Sequence, residues 1–143
     1  PIVQFSNLTE CIPYDDAAIA LWVKGAQLKK MILYMLRDEV WDGSHCEFFQ
    51  FSGGMRVVYD KSNHKLKEFS LHGAPIEEEK VYKIGLQYYF YLNLKDFFSI
   101  SHEEVAQNGK PRQVATSCRE VLDEYLSCHQ ILDHRISGRL KIE

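Results

Sequence analysis

Hydrophobic positions along the chain switch between two periods, and the switches mark the elements. Residues 17–24 form a nearly unbroken aliphatic run closed by Gly25, which predicts a buried strand. Leu28, Met31, Ile32, Met35 and Leu36 then fall at i, i+3, i+4, i+7 and i+8, one face of a helix. Lys29, Lys30, Tyr34 and Arg37 occupy its outer face. Asp42-Gly43-Ser44 breaks the chain. Residues 55–59 and 66–71 read as two strands of a hairpin around a polar turn. Gly73-Ala74-Pro75 turns again, and 81–91 reads as a long aromatic strand. In that strand Ile84, Leu86, Tyr88 and Phe90 share one face, and Lys83, Gly85, Gln87, Tyr89 and Tyr91 the other. Residues 99–112 are polar and punctuated by Gly and Pro, the pattern of an exposed loop. Ser117 with Glu120 makes a capping-box pattern before Val121, Leu122, Tyr125 and Leu126, a second amphipathic helix. Residues 136–142 close as a short strand. The sum is an α+β fold: a mixed β-sheet with hairpins, packed by two main amphipathic helices, in a single domain over residues 1–143.

Composition narrows the class. A chain of 143 residues with 45% hydrophobic and 13% aromatic content is long and apolar enough for a globular core. The net charge of −3 and the lack of any Lys/Arg block argue against a general nucleic-acid partner. No apolar run approaches the roughly 20 residues of a membrane span, and no signal-peptide pattern is visible at the start. The chain opens at Pro1 without methionine, so an excised or processed chain is expected. Compartment stays open. Cys11, Cys46, Cys118 and Cys128 show no CxxC spacing. Cys118 and Cys128 on one helix would lie about 15 Å apart, beyond disulfide reach.

Catalytic chemistry is hard to find. The six histidines give no HxH and no HExxH. Asn63-His64 sits in the hairpin turn, Cys128-His129 with Asp133-His134 reads as a fraying helix end, and Ser99 and Ser101 near His102 lack a glycine elbow. No catalytic residue and no metal ligand is therefore assigned. The binding signal is stronger. In Phe48-Phe49-Gln50-Phe51-Ser52-Gly53-Gly54-Met55-Arg56-Val57-Val58-Tyr59-Asp60, three rings meet a two-glycine turn and one strand arginine. Met55, Val57 and Tyr59 point to one face, Arg56 and Asp60 to the other. Rings, tight turn and cation suit a flat anionic ligand; from this segment alone a hairpin core is the stronger reading of the same rings, because buried Phe is common.

That segment resembles the FLQVSG-hRVxYD stretch (h, apolar) of the 5'-nucleotidase C-terminal domain. Three further blocks follow the order that family uses. Asn7-Leu8-Thr9-Glu10-Cys11-Ile12-Pro13-Tyr14-Asp15-Asp16 resembles its "dL...hPF.N" loop. Ile19 through Lys29 resembles its "hhhhelTGaqLKe" passage. His72-Gly73-Ala74-Pro75-Ile76 with Lys80-Val81-Tyr82-Lys83-Ile84 resembles "i.G.pid..k.Yrv". The resemblance runs from about residue 7 to 98, with an echo at Gly138-Arg139-Leu140.

The resemblance implies a substrate-recognition domain, which in this family of 5'-nucleotidases, UDP-sugar hydrolases and cyclic-nucleotide phosphodiesterases stacks a base between two rings. Two divalent metals and the hydrolysis are expected on an N-terminal metallophosphoesterase domain outside this chain, and the family is often extracytoplasmic. A nucleotide or nucleoside is the implied ligand. The implied first ring is Phe48, with Phe49 or Phe51 as alternatives, and the second is Tyr89. Asp96 stands for the family's ligand-binding aspartate, and Arg56 is a further candidate. Tyr89 on the polar face of its strand could instead be a surface ring packing on Lys83 or Gln87. One departure matters: the family's "GGDG" turn is replaced by Leu92-Asn93-Leu94-Lys95-Asp96-Phe97-Phe98. A non-catalytic interaction module with a degenerate pocket is therefore the rival expectation.

Overall fold

The computed structural model describes residues 2–43, 49–129, 131–132 and 135–143. A first helix, α1 (Phe5–Cys11), leads into strand β1 (Ala18–Lys24) and helix α2 (Gly25–Met35). The hairpin is β2 (Met55–Asp60) with β3 (Lys65–Leu71), and a two-residue strand β4 (Ala74–Pro75) follows. Strand β5 (Val81–Gln87) runs into two short helices, α3 (Tyr88–Leu92) and α4 (Leu94–Phe98). Then come α5 (His102–Ala106), β6 (Arg112–Ala115), α6 (Cys118–Cys128) and β7 (Leu140–Ile142).

The strands form two sheets. One has the order β5-β1-β6, antiparallel throughout; the other has the order β4-β3-β2-β7, with β7 parallel to β2. The fold is α+β. Helix α2 supplies the shared packing: Leu28, Met31, Ile32, Met35 and Leu36 are all buried, while Lys29 and Lys30 stay exposed. They join one core cluster with Ile19, Leu21 and Val23 of β1 and Val57 and Tyr59 of β2. Arg37 is half-buried, its guanidinium 4.0 Å from the Tyr34 ring centroid.

Gly25 lets that packing happen. Its N–H donates to the Lys80 carbonyl and the N–H of Ala26 to Glu78, both at 2.9 Å, so the 76–80 loop lies directly on the start of α2. Gln27 fixes the same end. Its side-chain oxygen accepts from Lys24 N–H at 2.8 Å and from Asn108 at 2.6 Å, and its amide donates to the Glu104 carbonyl at 3.1 Å.

Two expected elements are corrected. The strand over 81–91 ends at Gln87, because the Tyr88 N–H donates to the Ala17 carbonyl and the Tyr89 N–H to Asp16, starting a helix. The segment 99–112 is not an exposed loop: Ile100 and Val105 are fully buried. Ser101 and Glu104 form a reciprocal capping box there that begins α5. Helix α6 starts as expected, with Ser117 accepting from Glu120 N–H at 2.9 Å. It lies against α1, leaving Val121 and Tyr125 exposed. Cys118 and Cys128 are both unpaired at its two ends; Cys46 lies outside the described residues.

Candidate functional site

The loop 12–16 is held by adjacent carboxylates that serve different helices. Asp15 accepts from the Ser117 hydroxyl at 2.7 Å and from the Arg119 N–H at 3.1 Å, at the start of α6. Asp16 accepts from the Tyr89 N–H at 2.6 Å, at the start of α3. Short acidic side chains suit both positions, because the first turn of a helix carries unpaired N–H groups and a partial positive charge. The Ser117 hydroxyl, then the Arg119 N–H, hold the Asp15 carboxyl below the usual carboxylate range. From the other side the Arg119 guanidinium donates to the Ile12 carbonyl at 3.0 Å and the Pro13 carbonyl at 3.4 Å. The loop is thus clamped at both ends, with Tyr14 between the clamps.

Tyr14 is 87% exposed and borders a cleft of about 700 Å³ between this loop and α3. The far wall is Gln87, Tyr88, Tyr89, Phe90 and Leu92. Tyr89 is 56% exposed and rests edge-on against Phe90 and Phe97, with centroids 5.5 and 5.7 Å away. Those contacts brace the ring from behind while its remaining surface stays open. Exposed rings lining one cleft offer apolar faces on which a planar ligand can stack.

Of the four residues expected to bind ligand, Tyr89 alone lines this cleft among the described residues. Phe48 lies outside them. Phe49, its alternative, is a core ring: it packs on Phe90 at 4.9 Å and on Phe98 at 5.0 Å. Phe90 and Phe97 each touch both Phe49 and Tyr89, so ring atoms already fill the space between those two. Phe51 is half-buried, and its carbonyl accepts a hydrogen bond from Arg139. Asp96 is exposed on α4 and does not line the cleft. Arg56 sits on β2, bonded to Glu68 at 2.8 Å and to the Gly138 carbonyl at 3.5 Å. Sequence reasoning missed Tyr14, Tyr88 and the Asp15-Asp16 pair. A signal existed: the "hPF.N" loop match already set an aromatic beside a proline.

No group of three or more His, Cys, Asp or Glu that could hold a metal occurs among the described residues. None of the described helices is long and apolar enough to cross a membrane. Taken together, these features define a small α+β domain with an aromatic cleft on its surface. The chain belongs to the 5'-nucleotidase C-terminal domain family, whose sequence model matches residues 2–102. Solved structures agree in fold. A 5'-nucleotidase precursor from Thermus thermophilus superposes with a TM-score of 0.81 at 18% identity, covering 98% of this chain and 28% of that one. The NAD nucleotidase of Haemophilus influenzae gives 0.78 at 16% identity, covering 98% and 26%. A sulfate thiohydrolase from Thermus thermophilus gives 0.52 at 17% identity, covering 90% and 22%. The chain therefore spans little more than a quarter of the first two structures it resembles. No curated protein sequence matches significantly.

Proposed function

We propose that this chain recognises the substrate of a 5'-nucleotidase-type phosphohydrolase, with a nucleotide base stacking between Tyr14 and Tyr89. One observation carries the reading: two exposed tyrosines border one cleft, the first on a doubly clamped loop and the second on a helix capped by that same loop. Hydrolysis itself, a metal-assisted attack of water on a phosphate ester, belongs to an N-terminal metallophosphoesterase domain. Two divalent metals supply its Lewis acidity. Asp16 orients Tyr89 through the helix start, and Arg119 orients Tyr14 through the Ile12 and Pro13 carbonyls. Phe48, Asp96 and Arg56 remain candidates for further contacts.

Calorimetric titration of the chain with AMP tests this. Base stacking contributes about 1–3 kcal/mol per base, so Tyr14→Ala and Tyr89→Ala should each weaken AMP by about 5- to 150-fold. Ribose 5-phosphate, which has no base, should bind equally to all three proteins. Unchanged AMP affinity in both variants would refute the stacking site.

A second reading has its own observation. The family's glycine turn is here two short helices, with Leu94 fully buried and Asp96 facing solvent. Fold alone does not select a nucleotide either, since a protein named as a sulfate thiohydrolase shares it. A non-catalytic module with an altered pocket would bind neither AMP nor adenosine, and the same titration separates the two readings.

A further inference from the structure

On the four-stranded sheet the C-terminal segment 135–139 crosses the entrance of the β2–β3 hairpin and closes a second cleft of about 610 Å³. Among the described residues its walls carry three guanidinium groups, Arg56, Arg135 and Arg139, and one carboxylate, Glu68. Arg139 is the unusual member. It is half-buried and spends one N–H on the Phe51 carbonyl, and no described carboxylate pairs with it. A partly desolvated cation without a counter-charge is costly unless an anion joins it. Arg56 gives its Nε–H to Glu68 and one Nη1 hydrogen to Gly138, which leaves other guanidinium hydrogens available.

The rest of the wall suits close approach. Gly73 and Gly138 have positive φ, at 81° and 68°, and no side chain stands within 3.5 Å of where a Cβ would be, whereas Gly54, at 86°, is covered by the His72 ring that also lines the cleft. The Ser137 side chain lines it too. An adjoining cleft of about 460 Å³ shares Arg135, Ser137, Gly138 and Arg139 and is otherwise walled by Phe49, Gln50, Phe51, Ile136 and Leu140. Neither cleft shares a lining residue with the one between Tyr14 and Tyr89. Planar guanidinium forks match phosphoryl oxygens in geometry and charge.

We propose that the cleft between the β2–β3 hairpin and segment 135–139 binds a phosphoryl oxyanion, held by Arg56, Arg135 and Arg139. Glu68 opposes the anion and sets its affinity by competing for Arg56. The site is independent of the nucleotide reading, because its ligand need carry no base.

The test is an NMR titration of the 143-residue chain at constant ionic strength, following the amides of Gly53, Gly54, Gly73 and Gly138 and the Nε–H of Arg56 and Arg139. Inorganic phosphate and phenyl phosphate are the probes. Saturable shifts confined to those groups, with Tyr14 and Tyr89 unmoved by inorganic phosphate, are expected. Tighter phenyl phosphate binding would identify an ester whose organic group enters the adjoining cleft beside Phe49 and Phe51; equal binding would identify the free anion. Arg139→Gln should weaken phosphate at least tenfold. Because that change also removes the bond to the Phe51 carbonyl, Ser137→Asp provides a second arm: it adds a repelling charge at an exposed position and should weaken phosphate as much. Shifts that do not saturate, or that chloride reproduces, would overturn the proposal. So would unchanged phosphate affinity in Ser137→Asp with its amide spectrum otherwise preserved.

Discussion

Replacing Gly25 by alanine should destabilise the protein far more than a single methyl suggests. A Cβ at this position would press into the Glu77 carbonyl oxygen and lie 2.9 Å from both the Glu77 carbonyl carbon and Ile76 Cγ2. Ordinary carbon contacts begin near about 3.5 Å, so the loop must retreat by more than half an ångström. The obstacle is backbone, which cannot rotate aside. Retreat also stretches the two 2.9 Å hydrogen bonds from Gly25 and Ala26 to that loop. Overpacking typically costs about 1–3 kcal/mol, and each weakened hydrogen bond up to about 0.5–1.5 kcal/mol. Better helix propensity returns at most about 1 kcal/mol. The expected loss is about 2–4 kcal/mol, roughly 5–15 °C in Tm for a domain of this size. Urea unfolding followed by circular dichroism measures it as a lower midpoint at unchanged slope. Gly85→Ala is the control: a Cβ there meets nothing within 4 Å and the site is exposed. Removing the flexible residue from a strand should leave stability unchanged or raise it by up to about 1 kcal/mol. Equal stability of Gly25→Ala and wild type would refute the close-approach argument.

Three other outcomes are expected. Leu28→Ala should cost about 2–5 kcal/mol and Lys30→Ala less than about 0.5 kcal/mol by urea unfolding, since the first is buried and the second exposed; comparable effects would reverse the phase of α2. The lowered pKa of Asp15 means that its bonds stabilise the fold above the ordinary carboxylate value of 3.8 and that this contribution fades as pH falls through the lower folded value. Asp15→Asn should therefore be less stable than wild type at neutral pH and converge with it in acid, and a gap that widens on acidification would contradict the assignment. Mass spectrometry of the unreduced protein should detect no bridge between Cys118 and Cys128, which are the first and last residues of one helix.

Much of this architecture is legible in the sequence where one local period dominates. The lysine-flanked apolar positions of α2, the aliphatic run of β1 and the 55–71 hairpin all read correctly for that reason. The end of β5 does not, because residues 88–91 are aromatic at every position and carry no period. What starts the helix there is Asp16, 73 positions away in sequence, and no local pattern reports it. Helix α5 is a different case. Its Ser101–Glu104 box has the same spacing as the Ser117–Glu120 pattern, but the surrounding Gly and Pro masked it. The site divides similarly. Family register proposes Tyr89, which lines the cleft, although the strand-phase argument for it fails because the residue is helical. Tyr14 becomes a candidate only once folding sets its loop against α3 and gives Phe49 to the core.

The most direct test of the nucleotide reading is a set of intermolecular nuclear Overhauser effects between AMP and ring protons of the chain. Cross-peaks are expected from adenine H2 and H8 to the rings of both Tyr14 and Tyr89, and none to Phe49. Saturating AMP that gives cross-peaks to neither tyrosine would contradict the nucleotide reading.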